Sequence, residues 1–341
     1  MSAPAVPPAP ERRFASAAVA DHAGTLDATP GPMPDFFIIG HEKCGTTALY
    51  KMLRQHPQIF MPDYKEPRFF SSDLRTVEPK RPGNRPRTLE QYLALFAPAA
   101  PGQLVGEASP QYIRSPGAAK RIAELQPQAR IIAILREPAS FLNTFHSQAV
   151  HSGLETERDL GRAIALEPER RAGRSMPENV SPSWLMYSEH VRYVEQIRRF
   201  HAQFPVEQVL VLIYDDYRRE NERTARTVMR FLEVDADAPL EPIVTKGGEQ
   251  KAVRFMPLHK LSRTVKLARE KPQNAKPVVR AVATLAPRRA QVLWKHLVYT
   301  QPSAPDERLM LELRRRFKPE VEALSDYLGR DLVSLWGYDG V

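Results

Sequence analysis

Phe36-Phe37-Ile38-Ile39-Gly40-His41-Glu42-Lys43-Cys44-Gly45-Thr46-Thr47-Ala48-Leu49 decides how the rest of this chain is read. Its apolar run ends at Gly40 without polar alternation, as a fully buried parallel strand would. A short loop follows. Gly45-Thr46-Thr47 then opens a segment with Leu49, Met52 and Leu53 on one helical face, closed before Pro57. Strand, glycine-bounded loop and helix start together make a phosphate cradle, because free backbone N–H groups and the positive helix end converge on one point. The spacing is near that of a Walker A loop, but Thr46 stands where that motif needs lysine, and Lys43 lies inside the loop.

The 341 residues allow one large α/β domain with extensions, or two domains. Hydrophobic residues make up 42% and charged residues 26%, a globular balance. Apolar runs are too short to span a bilayer. Residues 1–34 are rich in Ala and Pro, lack the apolar core of a secretory signal, and read as a disordered leader. A single cysteine, Cys44, excludes an internal disulfide and points to a reducing, cytoplasmic setting. Cysteine and histidine spacings match no metal site. Net charge is +9, unevenly spread: residues 246–300 hold 13 Lys+Arg against 2 Asp+Glu, or +11, leaving −2 elsewhere. Such a block suits an anionic partner, a solvated face, or peripheral contact with a membrane surface.

Further along, Lys65-Glu66-Pro67-Arg68-Phe69-Phe70 places a carboxylate before two aromatics that would pack inward and fix it. The residues alone allow a surface ion pair or a positioned base. Residues 75–88 read as an exposed loop, and Leu89–Phe96 as a short helix. Leu104-Val105-Gly106-Glu107-Ala108-Ser109-Pro110 is a strand end and turn. Ile131–Leu135 is a second buried strand ended by Arg136; a helix bearing Phe141, Leu142, Thr144 and Phe145 follows, with Gly153 as its stop. Residues 184–204 carry one amphipathic helical pattern, and Val209–Tyr214 form a third strand ending in Asp215-Asp216. The basic segment starts at Lys246-Gly247-Gly248, and residues 301–341 read as helices packing back on the core, interrupted near Pro319.

These markers, in this order over residues 35–235, resemble the sulfotransferases that use 3′-phosphoadenosine 5′-phosphosulfate (PAPS), more specifically the heparan-sulfate and carbohydrate branch. The resemblance implies an α/β fold of P-loop type: a mainly parallel sheet with helices on both faces, and a helical, basic C-terminal region. It makes residues 35–245 the catalytic core and 246–300 a segment covering cofactor or substrate. Lys43, Cys44, Gly45, Thr46 and Thr47 then form the 5′-phosphosulfate loop. Arg136 with Thr144 hold the 3′-phosphate, Lys251 and Arg254 add late phosphate contacts, and Glu66 is the catalytic base beside Lys43. PAPS is the co-substrate, with no metal. The acceptor is a hydroxyl or amine of a carbohydrate, lipid-linked glycan or small metabolite, not a nucleic acid. Heparan-sulfate enzymes carry lysine where this chain has Ala108, a departure bearing on the acceptor. Two other classes stay open: a P-loop kinase or NTPase, and a non-catalytic anion- or nucleic-acid-binding protein.

Overall fold

The computed structural model describes residues 31–74, 85–178, 180–241 and 305–341, with the backbone of 252–253 and 299–300. The leader up to residue 30, most of the exposed loop, and the basic segment apart from those four residues lie outside the described residues, as do Lys251 and Arg254.

Five parallel strands form the sheet: β1 (Phe36–Gly40), β2 (Ile59–Phe60), β3 (Leu104–Ala108), β4 (Arg130–Leu135) and β5 (Val209–Ile213), in the order β2-β3-β1-β4-β5. β1 is central, and Phe36, Phe37, Ile38 and Ile39 have no exposed surface. A parallel strand between two layers of helices has no wet face, which is why the run lacks alternation. Each such side chain contributes about 1.5–3 kcal/mol by leaving water. The chain leaves β1 towards β2 and β3 on one side, then crosses to β4 and β5 on the other. The loop after β1 therefore stands at the topological switch point, at the carboxyl ends of the strands.

Helices enclose the sheet. α1 (Thr46–Leu53) follows β1, and α2 (Leu89–Leu93) and α3 (Ala118–Leu125) precede β3 and β4. After β4 come α4 (Pro138–His151), α5 (Leu160–Ala165), α6 (Glu167–Arg171), α7 (Tyr187–His190) and α8 (Tyr193–His201). After β5 come α9 (Tyr214–Arg219) and α10 (Asn221–Leu232); near the C-terminus are α11 (Glu307–Leu328) and α12 (Leu332–Trp336). α10 packs on α1, whereas α11 packs on α4 and α8. The tail is tied to the core: Trp336 Nε1 donates to Asp215 at 2.9 Å, and Tyr338 OH donates to Glu137 at 2.6 Å. A two-residue strand β6 (Ala252–Val253) pairs antiparallel with β7 (Tyr299–Thr300) and runs beside α4.

Two elements depart from the sequence expectation. The 184–204 pattern is not one helix but α7 and α8, broken at Val191-Arg192. The Gln196 amide donates to the carbonyls of Glu189 and His190, satisfying the end of α7. Glu320, from α11, accepts from the Val194 N–H and caps the start of α8. Conversely, α11 runs unbroken through Pro319, with Leu313, Phe317, Val321 and Leu324 buried along it. Its packing outweighs the hydrogen bond that proline removes.

Candidate active site

The loop after β1 is built on two glycines. Gly40 has φ +134°, and a Cβ there would meet the Ile134 carbonyl at 2.5 Å. Gly45 has φ +87° and is the N-cap of α1; a Cβ there would press on the Tyr217 ring. Having no side chain, Gly45 makes no side-chain cap on the first turn of α1. Cys44 N–H is used within the loop, donating to the His41 carbonyl at 3.4 Å. The amides of Gly45, Thr46 and Thr47 meet no backbone acceptor among the described residues. α1 thus presents an open, positive end.

The N-terminus of α4 contrasts with it. There Glu137 folds its own carboxylate onto the N–H groups of Ala139 (3.1 Å) and Ser140 (2.6 Å). One helix end at the switch point is filled and the other is left for an anion.

Two cations flank the open end. Lys43, itself at φ 68°, is half-buried, and burial together with the adjacent Arg136 guanidinium lowers its ammonium from the usual lysine range. Arg136 follows β4, as its strand-end position required. It donates through Nη1 to the Lys43 carbonyl at 3.2 Å and through Nη2 to Ser140 Oγ at 2.7 Å, and lies over the Tyr214 ring at 4.9 Å. Tyr193 OH donates to the Arg136 carbonyl at 2.8 Å. Among the described residues neither cation has a carboxylate within 4 Å. A pair of neighbouring positive charges at an open helix end fits a polyanion, whose binding relieves their repulsion.

Thr144 lies one helical turn beyond Ser140, and its hydroxyl donates back to the Ser140 carbonyl at 2.8 Å. Ser140 is the hydroxyl in contact with Arg136. Sequence reasoning passed over it, although it lies four residues after the arginine, one turn into the helix. Cys44 is fully buried, and burial pushes its thiol up to about 12, so it is a close-packed small residue rather than a nucleophile. His41 is buried between the rings of Phe141 and Tyr193; burial drops it to about 3, so it stays neutral and props the loop from behind.

Glu66 sits at the adjoining end of β3. Its N–H donates to the Ala108 carbonyl at 3.1 Å, with φ 63°. Phe69 and Phe70 pack inward as expected, against Tyr92 and each other. The carboxylate, 28% exposed, is gripped by Lys65 Nζ at 2.8 Å and Arg68 Nη2 at 2.5 Å. Burial pushes this carboxyl upward, but the two cations together outweigh it and hold it at about 2. Arg68 also lies over Trp184 at 5.5 Å. Glu107 is different: fully buried, it accepts from Tyr92 OH (2.9 Å) and Tyr112 OH (2.8 Å), and burial raises it to about 7. Ser109 and the Lys65 charge also act on it, in the lowering direction. Among the described residues no group of three or more His, Cys, Asp and Glu side chains is arranged to hold a metal ion, and no helix is long and apolar enough to cross a membrane.

A doubly wound parallel sheet with an uncapped, glycine-bounded helix start at its switch point defines a P-loop-type α/β protein. The profile of the "Sulfotransferase family" matches residues 34–238. The chain belongs to the sulfotransferase family. It is 27% identical over 213 residues to human bifunctional heparan sulfate N-deacetylase/N-sulfotransferase 3, covering 59% of this chain and 22% of that protein. It is 26% identical over 270 residues to human carbohydrate sulfotransferase 15, covering 65% of this chain and 48% of the relative. The chain thus spans at most about half the length of these curated relatives. The crystal structure of a sulfotransferase from Alicyclobacillus acidocaldarius superposes with a TM-score of 0.61 at 26% identity, over 89% of this chain and 99% of that one.

Proposed function

We propose that the protein transfers the sulfuryl group of PAPS to an acceptor hydroxyl or amine and releases 3′-phosphoadenosine 5′-phosphate (PAP). The observation that carries this reading is the open start of α1 flanked by Lys43 and Arg136, with the two tied together through the Lys43 carbonyl. The amides of Gly45, Thr46 and Thr47 and the Lys43 ammonium suit the 5′-phosphosulfate. Arg136, with Ser140 and Thr144 on the turns after it, suits the 3′-phosphate through its bidentate fork. The acceptor oxygen attacks sulfur in line. The bond from sulfur to the 5′-phosphate oxygen breaks, its electron pair stays on PAP, and the acceptor proton passes to Glu66. Charge developing on the leaving oxygen meets preorganised N–H groups and Lys43. Glu66 begins as a weak base, because Lys65 and Arg68 hold it at about 2. Movement of either cation off the carboxylate strengthens it.

The names of the relatives favour a carbohydrate acceptor; a lipid-linked glycan or small metabolite fits the same chemistry. A cytoplasmic location and peripheral membrane contact through residues 246–300 belong to the same reading. Thr46 in the place of the Walker lysine weighs against a kinase or NTPase. The test is calorimetric binding of PAP beside transfer from radiolabelled PAPS to glycan, phenol and lipid acceptors. Magnesium-dependent ATP turnover without PAP binding would replace this reading with the kinase class, and salt-sensitive RNA binding without PAP binding with the non-catalytic one.

A further inference from the structure

The tail that follows α11 returns to the strand ends that carry Arg136. Gly329, at φ 60°, ends α11, and Gly337, at φ 72°, ends α12; both turns need the left-handed region that glycine enters without strain. Between them Asp331 accepts from the Ser334 N–H at 2.9 Å and starts α12. Leu332, Trp336 and Tyr338 are buried, so the tail packs as part of the core. It lies beyond residues 34–238, the stretch that the family profile matches.

Three of its polar contacts fall on carboxylates that adjoin Arg136. Glu137 is the next residue in the chain, and Asp215 and Asp216 directly follow Tyr214, whose ring lies 4.9 Å from the guanidinium. Tyr338 OH donates to Glu137 Oε1 at 2.6 Å, Trp336 Nε1 donates to Asp215 Oδ2 at 2.9 Å, and Arg330 Nη1 stands 2.6 Å from Asp216 Oδ2. Glu137 also accepts from the Ala139 and Ser140 amides, so both its oxygens are engaged. The Cys44 thiol, raised by burial, is pulled down by Arg136 and pushed up by Asp215, so both charges bear on one loop residue. A carboxylate free to swing onto Arg136 would pair with it, and a nucleotide phosphate would then have to displace that partner. Among the described residues the hydrogen bonds of the guanidinium instead go to neutral acceptors, the Lys43 carbonyl and Ser140 Oγ.

We propose that the tail is the positioning element of the 3′-phosphate grip: Arg330, Trp336 and Tyr338 hold Asp216, Asp215 and Glu137 off Arg136, which therefore meets the nucleotide without a carboxylate partner. The inference rests on the sulfotransferase reading and deepens its donor site. The three are positioning residues, acting through the carboxylates and not on the nucleotide. Trp336 and Tyr338 aim Asp215 and Glu137 by one hydrogen bond each, whereas Arg330 also offsets the Asp216 charge that would repel a phosphate.

The test is calorimetric binding of PAP and of adenosine 5′-phosphate, which lacks only the 3′-phosphate, to the full chain. The ratio of the two affinities measures the 3′ grip alone. It should be at least about tenfold in the unmodified protein, and Trp336→Phe and Tyr338→Phe should each lower it by about threefold or more, with the affinity for adenosine 5′-phosphate unchanged. Asp215→Asn added to Trp336→Phe should restore the ratio, because the freed side chain then carries no charge to compete for Arg136. A ratio that both single variants leave intact overturns the proposal. So does an equal loss for the two nucleotides, which marks a merely scaffolding tail, and so does a loss that Asp215→Asn fails to restore. Tyr338→Phe removes one hydroxyl and keeps the ring, so it decides the matter if Trp336→Phe does not fold. An unmodified protein that binds both nucleotides alike, or neither, overturns the donor reading together with the proposal. Discrimination that is present but indifferent to the tail overturns the proposal alone.

Discussion

Arg136 donates from Nη1 to the backbone carbonyl of Lys43 at 3.2 Å, joining the end of β4 to the loop after β1. The two elements proposed to grip phosphate are thereby one unit, with Ser140 on the other arm of the guanidinium and Tyr214 beneath it. On the proposed reading, a nucleotide with phosphates at both ends meets a spacing set before it arrives, which lowers the ordering cost of binding.

Arg136→Ala should therefore cost about 2–5 kcal/mol of PAP binding, as for one partner removed from a desolvated charge pair. Adenosine 5′-phosphosulfate, which lacks the 3′-phosphate, should bind much more weakly than PAPS to the unmodified protein and about equally to the variant. Calorimetry of both nucleotides checks this. Equal affinities before mutation would remove Arg136 from the 3′ site.

Glu66 and Lys43 should separate in their effects. Glu66→Gln keeps shape and removes the proposed base, so PAP affinity should persist while turnover falls by about 10²–10⁴-fold. Lys43→Ala should lower both, because its charge serves ground state and transition state alike. Near-normal turnover in Glu66→Gln would place the base elsewhere.

The pH dependence should run through Arg68. Lys65 and Arg68, acting against burial, hold Glu66 at about 2, so the carboxylate is ionised above that value. Removing the Arg68 charge raises the carboxyl's value, so protonation sets in at higher pH. The acid limb of turnover against pH should then move upward in Arg68→Met, and a limb that stays in place would show that Arg68 does not tune the base.

Stability should depend on one buried ion pair. Arg170 and Glu155, 1% and 0% exposed, meet at 2.9 Å, and Tyr187 OH completes the carboxylate's shell at 2.9 Å. Arg170→Met leaves Glu155 charged and buried, and should cost about 3–5 kcal/mol. Replacing both residues with apolar ones of similar volume should recover much of that loss. Denaturant unfolding of the single and double variants measures it, and a loss below about 1 kcal/mol in the single variant would contradict the argument.

Much of this molecule is local in origin. The unalternating run Phe36–Ile39 and the two glycines around Lys43 determined β1, its loop and the start of α1, because burial on both faces and positive φ leave their mark on consecutive residues. Arg136 at the end of Ile131–Leu135 was legible for the same reason. The Glu66 segment was legible as a carboxylate before inward aromatics, but its two cation partners were not, since side-chain directions over Lys65–Arg68 depend on positive φ at Glu66 and Arg68.

Other features required atoms far apart in the chain. Gln196 and Glu320 break the 184–204 pattern by taking up backbone groups that a continuous helix would have paired internally. Packing of α11 on α4 and α8 carries the helix through Pro319. Glu137 fills the start of α4 while Gly45 leaves that of α1 open, so only the folded protein shows which helix end awaits an anion. Ser140, rather than Thr144, meets Arg136 because the guanidinium turns back along its own helix. The tail contacts around Arg136 join residues 121 and 201 apart in the chain, Trp336 to Asp215 and Tyr338 to Glu137. Residue patterns record which surfaces are buried and where the backbone must bend; which charges face one another is settled by long-range packing.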